Sequence, residues 1–380
     1  MAATPGGGAV VVGHSTHDER LTGAPYGQAT SRPWIARVDG DGAVLDSWTG
    51  FVGRATAVAV DDAGRAYVTL TGLRDDEDWS REPQCELRAL QADGTALWTQ
   101  RWGEGVTQEC PTEVALASDA VIVRVAERLE ALDSDGSVRW QLDLPVDVRG
   151  PVPLSSYGDH VWLAYERFVD DQYVPQAWRI DARDGSATEL DLEYDGLRLD
   201  EVHAVADGLL VMGSPRVGPN AFSTDDRLVS LTLDGKRRWM DDEPRPPAGS
   251  GSLPGWGILG KSVVADATTP WVIGTERLFE DPLGEASGGA RFRVMIQRWT
   301  ANGELQGTLR RSFIEAHHDR PTDATPSELS RAQCPFSDAT EPPRFGSQPA
   351  AAVVLADGAL LLAGEQGCRD SFLMRLDVQS

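Results

Sequence analysis

A short apolar strand closed by an Asp–Gly type turn returns along the whole chain, and it restricts the fold more than any other feature. The copies are Ile35-Ala-Arg-Val-Asp-Gly-Asp-Gly42, Leu87-Arg-Ala-Leu-Gln-Ala-Asp-Gly94 and Leu129-Glu-Ala-Leu-Asp-Ser-Asp-Gly136. They continue as Trp178-Arg-Ile-Asp-Ala-Arg-Asp-Gly185, Leu228-Val-Ser-Leu-Thr-Leu-Asp-Gly235 and Ile296-Gln-Arg-Trp-Thr-Ala-Asn-Gly303, and Leu373-Met-Arg-Leu-Asp377 makes the seventh. Alternating apolar residues bounded by Gly and Asp are the pattern of half-buried strands, and Asp-Gly suits the positive φ of a tight hairpin. Recurrence at about 40–60 residues marks an array of equivalent units.

The clearest full unit starts at Ala55. A strand to Val60 turns at Asp61–Gly64, and a second runs over Arg65–Leu70. A loop reaches Pro83, a third strand covers Glu86–Leu90, and after Asp93-Gly94 a fourth covers Ala96–Trp102. Four strands per unit predict an all-β chain, a seven-bladed β-propeller of four-stranded antiparallel blades filling residues 1–380, with six or eight blades as the alternatives. A Trp often follows the turn (Trp48, Trp98, Trp140, Trp239), a bulk suited to packing between neighbouring sheets. The first unit lacks an obvious innermost strand before Ala9–Val12, a place that Ala2–Gly8 could fill.

The stretch Ala57-Val-Ala-Val-Asp-Asp-Ala-Gly-Arg-Ala-Tyr-Val68 with the Asp93-Gly-Thr-Ala-Leu-Trp98 turn resembles the bacterial secreted β-propeller repeats (the SBBP type) and is similar to PQQ-like propeller repeats. The resemblance implies a fold. The families concerned include scaffolds, surface lipoproteins and cofactor enzymes. A quinone-dependent dehydrogenase of this kind would carry adjacent cysteines, which this chain lacks.

Composition removes several functions. Asp and Glu number 59 against 35 Lys and Arg, a net charge of −24. Binding nucleic acid through phosphates, or docking on anionic lipid, needs the opposite sign. No apolar run is long enough to span a membrane. The four cysteines form no CxxC pair and fall into two couples, Cys85 with Cys110 and Cys334 with Cys368. Local disulfides of this size persist outside the reducing cytosol, which predicts an extracytoplasmic protein (periplasmic, cell-surface or secreted) whose leader is not in this sequence.

In a four-stranded blade the connections between strands one and two and between strands three and four share one face. Those between two and three and between blades share the other. The first class is uniformly short. The second holds His14–Pro33, Thr71–Pro83, Glu166–Pro175, Ser214–Asp226, Asp241–Gly255, Glu276–Arg291 and Ser312–Gln348. Long loops of compact domains carry function, so this face is the expected binding surface, with 312–348 as its main insertion. Within it Thr325-Pro-Ser-Glu328 has the form of a capping box and predicts a short helix over Pro326–Ala332. Both cysteine couples would stiffen this face.

Candidate chemistry is sparse. His14, His17, His317 and His318 would suit a transition metal. The acidic run Asp75–Asp78 offers oxygens for calcium but lacks the spacing of a dedicated loop. Asp39-Gly-Asp-Gly42 and Asp133-Ser-Asp-Gly136 look calcium-like but sit in the hairpin turns, whose own chemistry accounts for them. Glu113, Glu201, His203 and Lys261 fall on innermost strands near their long-loop ends. Glu201 and His203 share one side of their strand, so with Arg167 or Arg216 near they could do acid–base work or hold an acidic group. Trp79 and Trp256 would suit stacking on a sugar or peptide. The sequence therefore predicts a monomeric binding or scaffold protein that takes a peptide, protein, glycan or cation on its long-loop face, without a cofactor. The rival readings are a propeller enzyme (lyase, hydrolase or quinone-type oxidoreductase) using Glu201 and His203, and a metal-binding surface protein holding calcium or a transition metal.

Overall fold

The computed structural model describes the chain apart from residues 18–29, 49–51, 75–83, 103–109, 145–147, 150–153, 170–171, 195–196, 219–220, 223–226, 242–257, 266–268, 279–290, 312–344, 367–369 and 378–380. The protein is all-β, a seven-bladed propeller of antiparallel blades, with no helix among the described residues.

Blade 1 is β1 (Ala2–Ala3), β2 (Ala9–His17), β3 (Thr30–Val38) and β4 (Val44–Trp48). Blade 2 is β5 (Val52–Val60), β6 (Ala66–Arg74), β7 (Gln84–Leu90) and β8 (Ala96–Trp102). Blade 3 is β9 (Pro111–Ala117), β10 (Ala120–Val125), β11 (Arg128–Leu132) and β12 (Val138–Asp143). Blade 4 has two innermost pieces, β13 (Val148–Arg149) and β14 (Leu154–Tyr157), then β15 (His160–Val169), β16 (Gln172–Asp181) and β17 (Ala187–Asp191). Blade 5 is β18 (Leu197–Val205), β19 (Gly208–Gly218), β20 (Ala221–Phe222), β21 (Arg227–Thr232) and β22 (Arg237–Met240). Blade 6 is β23 (Ile258–Ala265), β24 (Pro270–Leu278), β25 (Arg291–Trp299) and β26 (Leu305–Arg311). Blade 7 shows β27 (Phe345–Val354), β28 (Leu360–Gln366) and β29 (Asp370–Leu376), and joins blade 6 where Arg291–Phe292 runs parallel to Phe345–Gly346. Ala2 and Ala3 pair with Val10 and Ala9, so the chain's start does supply the innermost strand of blade 1.

Two compact units are distinguishable. The first comprises Met1–Asp191, Val353–Leu361 and Asp377–Ser380, the second Leu192–Ala352 and Leu362–Leu376. In the first, the core lies between successive sheets. Val10, Ile35, Val68 and Leu70 pack blade 1 on blade 2. Tyr67, Leu87, Val121 and Leu132 pack blade 2 on blade 3, and Leu129, Leu163 and Ile180 pack blade 3 on blade 4. In the second, Leu210, Met212, Val272 and Trp299 pack blade 5 on blade 6. Truncating one such leucine to alanine costs about 2–5 kcal/mol, because the facing sheet cannot collapse into the gap.

The Trp that follows the turn in blades 1, 2, 3 and 5 packs against the next blade. The indole of Trp98 lies over Gly136 of the next blade and donates Nε1–H to Ser134 O at 2.8 Å. Trp140 lies over Gly185 with its donor on Ala182 O at 2.9 Å, and Trp239 over Gly303 with Ala301 O at 2.7 Å. Trp48 covers Gly94 in the same way. These glycines have φ between +75° and +87°, and a Cβ on any of them would meet the ring.

The expected loops are partly strand. Glu166–Pro175, expected from sequence as a long connection, is mostly strand, because β15 and β16 pair out to Val169 and Gln172. Its residues Phe168, Tyr173 and Val174 favour a pleated strand, and this outweighs the Glu, Arg and Asp among them. Ser214–Asp226 likewise continues β19 to Gly218 and turns back through β20. β2 and β3 extend to His17 and from Thr30, and β6 extends to Arg74. The capping-box helix lies outside the described residues.

Candidate functional site

The innermost strands share a feature that the sequence reading missed. Their ladders shift register part-way along, stepping over Thr56, Thr112, Asp200 and Lys261 in blades 2, 3, 5 and 6. Such bulges twist a strand and re-aim side chains. Each bulged residue is polar, and Thr56 and Thr112 are exposed. At the first, the Thr69 hydroxyl accepts the Ala57 amide and meets the Thr56 hydroxyl, both at 2.8 Å. The sequence signal was a pair of polar residues interrupting the alternation, as in Pro111-Thr-Glu-Val114.

In the first unit the bulge of β9 brings Glu113 to the start of blade 4. Its Oε2 accepts the Leu154 amide of β14 at 2.7 Å, and Arg124 stands opposite it in the ladder. The residue keeps some exposed surface, yet burial of its carboxyl raises the pKa to about 7, against the pull of Arg124 and of the Leu154 amide. Arg167, the partner of Val148 on β15, is 3.6 Å from Glu189 and 3.5 Å from Gln176 Oε1.

In the second unit Glu201 and His203 pair with Met212 and Leu210. Both are half-buried on one side of β18, while Val202 and Ala204 are buried on the other. His203 is two residues from the short turn, further from the long-loop end than the sequence suggested. Arg216 pairs with Phe222, and Lys261 lies in β23. His14 and His17 lie in β2, opposite Pro33 and Thr30. Trp79, Trp256, His317, His318, Cys334 and Cys368 lie outside the described residues.

Two carboxylates that the sequence did not flag are fully buried. Glu86 is held by Arg88 at 2.7 Å and Arg101 at 2.9 Å. Glu130 accepts from Arg128 at 2.6 Å, Gln141 at 3.1 Å and Trp102 Nε1 at 2.9 Å. The in-strand pair reads Glu86–Arg88 in blade 2 and Arg128–Glu130 in blade 3, the same arrangement in opposite order. Both sets are saturated by their own partners, so they serve structure.

The aspartates of the turns are likewise engaged. Asp39 Oδ1 accepts the Asp41 and Ala43 amides, Asp61 Oδ1 those of Ala63 and Arg65, and Asp135 Oδ1 that of Ser137. The calcium-like runs are therefore turn chemistry. Among the described residues, no group of three or more His, Cys, Asp or Glu could hold a metal ion. The short-turn ends also carry ion pairs within a blade: Asp61–Arg65 at 2.6 Å, Asp119–Arg139 at 2.8 Å and Asp207–Arg238 at 2.7 Å. The Arg139 guanidinium holds the Asp119 carboxyl below the usual carboxylate range.

Cys85 of β7 and Cys110, just ahead of β9, form a disulfide with Cα atoms 5.2 Å apart. It ties the two–three connection of blade 2 to the link between blades 2 and 3. No helix among the described residues is long and apolar enough to cross a membrane.

Residues 84–253 match a PQQ-repeat family described as "Outer membrane protein assembly factor BamB". No curated protein matches the chain in sequence. Among solved structures it is similar to the β-propeller domain of the Trilobed protease from Pyrococcus furiosus, at 13% identity and TM-score 0.53, covering 100% of this chain and 92% of that one. It is also similar to Pyrococcus horikoshii acylaminoacyl peptidase, at 10% identity and TM-score 0.54 over 97% of this chain, which spans 49% of that enzyme. BamB from Moraxella catarrhalis matches at 14% identity and TM-score 0.39, covering 76% of this chain and 87% of that one. At such identities the likeness is one of fold.

Proposed function

We propose that this chain of PQQ-like propeller repeats is an extracytoplasmic binding or scaffold module that takes its ligand on the connections between strands two and three and between blades. One observation carries the reading. The strands β2 and β3, β6 and β7, β22 and β23, β24 and β25, and β26 and β27 are separated by the longest stretches of sequence, all of that class of connection, while the described turns of the other class are tight and pinned by their own aspartates. Loop length costs little on a rigid scaffold, and loops so placed usually serve recognition. The Cys85–Cys110 bond braces this side and supports a location outside the reducing cytosol.

The ligand class follows from charge. A chain of net charge −24 favours a basic or neutral partner over nucleic acid. Outer-membrane protein assembly, the role in the matched family's description, makes a protein or peptide partner the first class to test. Trp79 and Trp256 are the proposed stacking residues, and the module acts as a monomer. The test is a peptide and glycan array probed with the intact protein and with a variant whose residues 312–344 are replaced by a short Gly-Ser linker. Binding by the intact protein that the variant loses, with its thermal unfolding unchanged, supports the reading; equal binding by both overturns the role of the insertion.

A second reading, an enzyme working on the innermost strands, is favoured by the shared side of Glu201 and His203. Once a reaction is found, a Glu201→Gln, His203→Ala variant with full activity would remove it.

A further inference from the structure

The outermost strands carry a feature that the binding reading does not use. In blades 1, 2, 3, 5 and 6 their ladder to the third strand shifts register just after the turn, stepping over Leu45, Leu97, Arg139, Arg238 and Gln306. In blades 3 and 5 the arginine at this place reaches an aspartate of the turn between strands one and two. Arg139 meets Asp119 at 2.8 Å, and Arg238 meets Asp207 at 2.7 Å. Blades 1 and 2 put leucine there instead, Leu45 at 52% and Leu97 at 41% exposed. Val44 beside Leu45 is 56% exposed, and Val138, at the register of Val44 in blade 3, is 48% exposed. Among the described large apolar residues, only Tyr157 and Val174 are exposed elsewhere. We propose that blades 1 and 2 carry a second docking surface, at the short-turn ends of their outermost strands, for a basic amphipathic segment of a partner protein.

The two leucines flank one joint. Trp48, three residues after Leu45, lies over Gly94 of the turn that leads to Leu97, and Arg37 of β3 donates to Ala92 O of the same turn. Charge selects the occupant. Residues 39–48 and 91–100, which contain the leucines, bear Asp39, Asp41, Asp46 and Asp93 and neither Lys nor Arg. Asp39 accepts the Ala43 amide at 2.8 Å and Asp93 the Thr95 amide at 2.9 Å, neutral donors that leave the charges in place. Further along blade 2, Arg88 and Arg101 are held by Glu86. A partner with lysines or arginines for the carboxylates and apolar side chains for the leucines satisfies both features. Anionic lipid, or a second copy of a chain of charge −24, is repelled. The register shifts interrupt the strand edge where the leucines lie, which disfavours an added strand and leaves side-chain docking. This surface stands at the opposite strand ends from the connections invoked above, so neither reading depends on the other.

The probe is an amphipathic peptide of lysine and leucine, with a lysine–serine peptide of equal charge beside it, each titrated into the full chain by fluorescence anisotropy. The Lys–Leu peptide should bind about tenfold more tightly than the Lys–Ser peptide, and a Leu45→Ser, Leu97→Ser variant should lose about tenfold of that affinity. Val174→Ser, which removes an exposed apolar side chain from blade 4, should bind like the wild type. No binding, equal binding of the two peptides, a double variant that binds as well as the wild type, or an equal loss in Val174→Ser would each overturn the surface. Should the double variant fail to fold, amide hydrogen exchange of the wild type with and without the Lys–Leu peptide decides: added protection in β4 and β8 supports the surface, and protection confined to other strands overturns it. Sedimentation of the chain alone tests the other occupant. A dimer that the double variant dissolves would mean that a second copy covers the leucines, which also overturns the proposal.

Discussion

Glu86 and Glu130 show how far a single buried charge depends on what surrounds it. Both are about 2% exposed, but their partners differ. Arg101 is 63% exposed and can return to water if Glu86 is removed, whereas Trp102 is buried. Glu130→Ala should thus cost more than Glu86→Ala, about 3–4 kcal/mol against about 2 kcal/mol, because it leaves the buried Trp102 Nε1 without an acceptor, whereas each variant frees arginines that can reach water. Guanidinium unfolding of the two variants tests the order, and equal losses would refute it. Neither residue was legible beforehand. In Leu129-Glu-Ala-Leu132 the apolar neighbours announce a strand but not the side on which Glu130 lies. That side is decided by Trp102, which is 28 residues away in sequence. Glu113 was legible as an inner-strand carboxyl because it breaks an otherwise apolar segment. Its partner Leu154 was not, since a backbone amide leaves no mark in sequence.

At the scale of the element, the turn and the Trp that follows it form one device shared by two blades. The Asp-Gly turns could be read directly, since positive φ and side-chain capping of the backbone are local demands. The bulges could not, because they arise from pairing between strands. The device also makes glycines of similar conformation unequal. Gly64 has φ +78° with nothing within 4 Å of an added Cβ, while Gly136 has φ +87° with the Trp98 ring 2.9 Å away. Gly64→Ala should cost about 1 kcal/mol, the strain of left-handed backbone alone, and Gly136→Ala about 2–4 kcal/mol, since it also displaces the indole. Chemical denaturation measures both; a Gly136 variant no worse than the Gly64 variant would mean that Trp98 is not a fixed cap. Blade 4 has Glu189 where blades 1, 2, 3 and 5 have Trp, and uses it within the blade to accept from the Tyr165 hydroxyl at 3.1 Å.

For the whole molecule, the number of blades was legible because six blades repeat the same local turn and the seventh repeats the strand that leads into it, whereas the content of the long connections was not, since nothing periodic constrains them. Covalent bracing falls among those connections. The Cys85–Cys110 bond closes 25 residues that include all of β8 and spans two blades of one unit. In the chain-entropy account such a bond removes conformations mainly from the unfolded chain and stabilises by about 3–4 kcal/mol. A Cys85→Ser, Cys110→Ser variant should therefore unfold at lower guanidinium with a loss of that size. Reductant on the wild type then asks about Cys334 and Cys368. If they too are bonded, reductant should destabilise the wild type by about twice the loss in the double variant, and should destabilise the double variant further. If reductant leaves the double variant unchanged, the expected second bond is absent. If the wild type itself is insensitive to reductant, the brace between blades 2 and 3 contributes nothing, and the argument from disulfides to an oxidising compartment loses its footing.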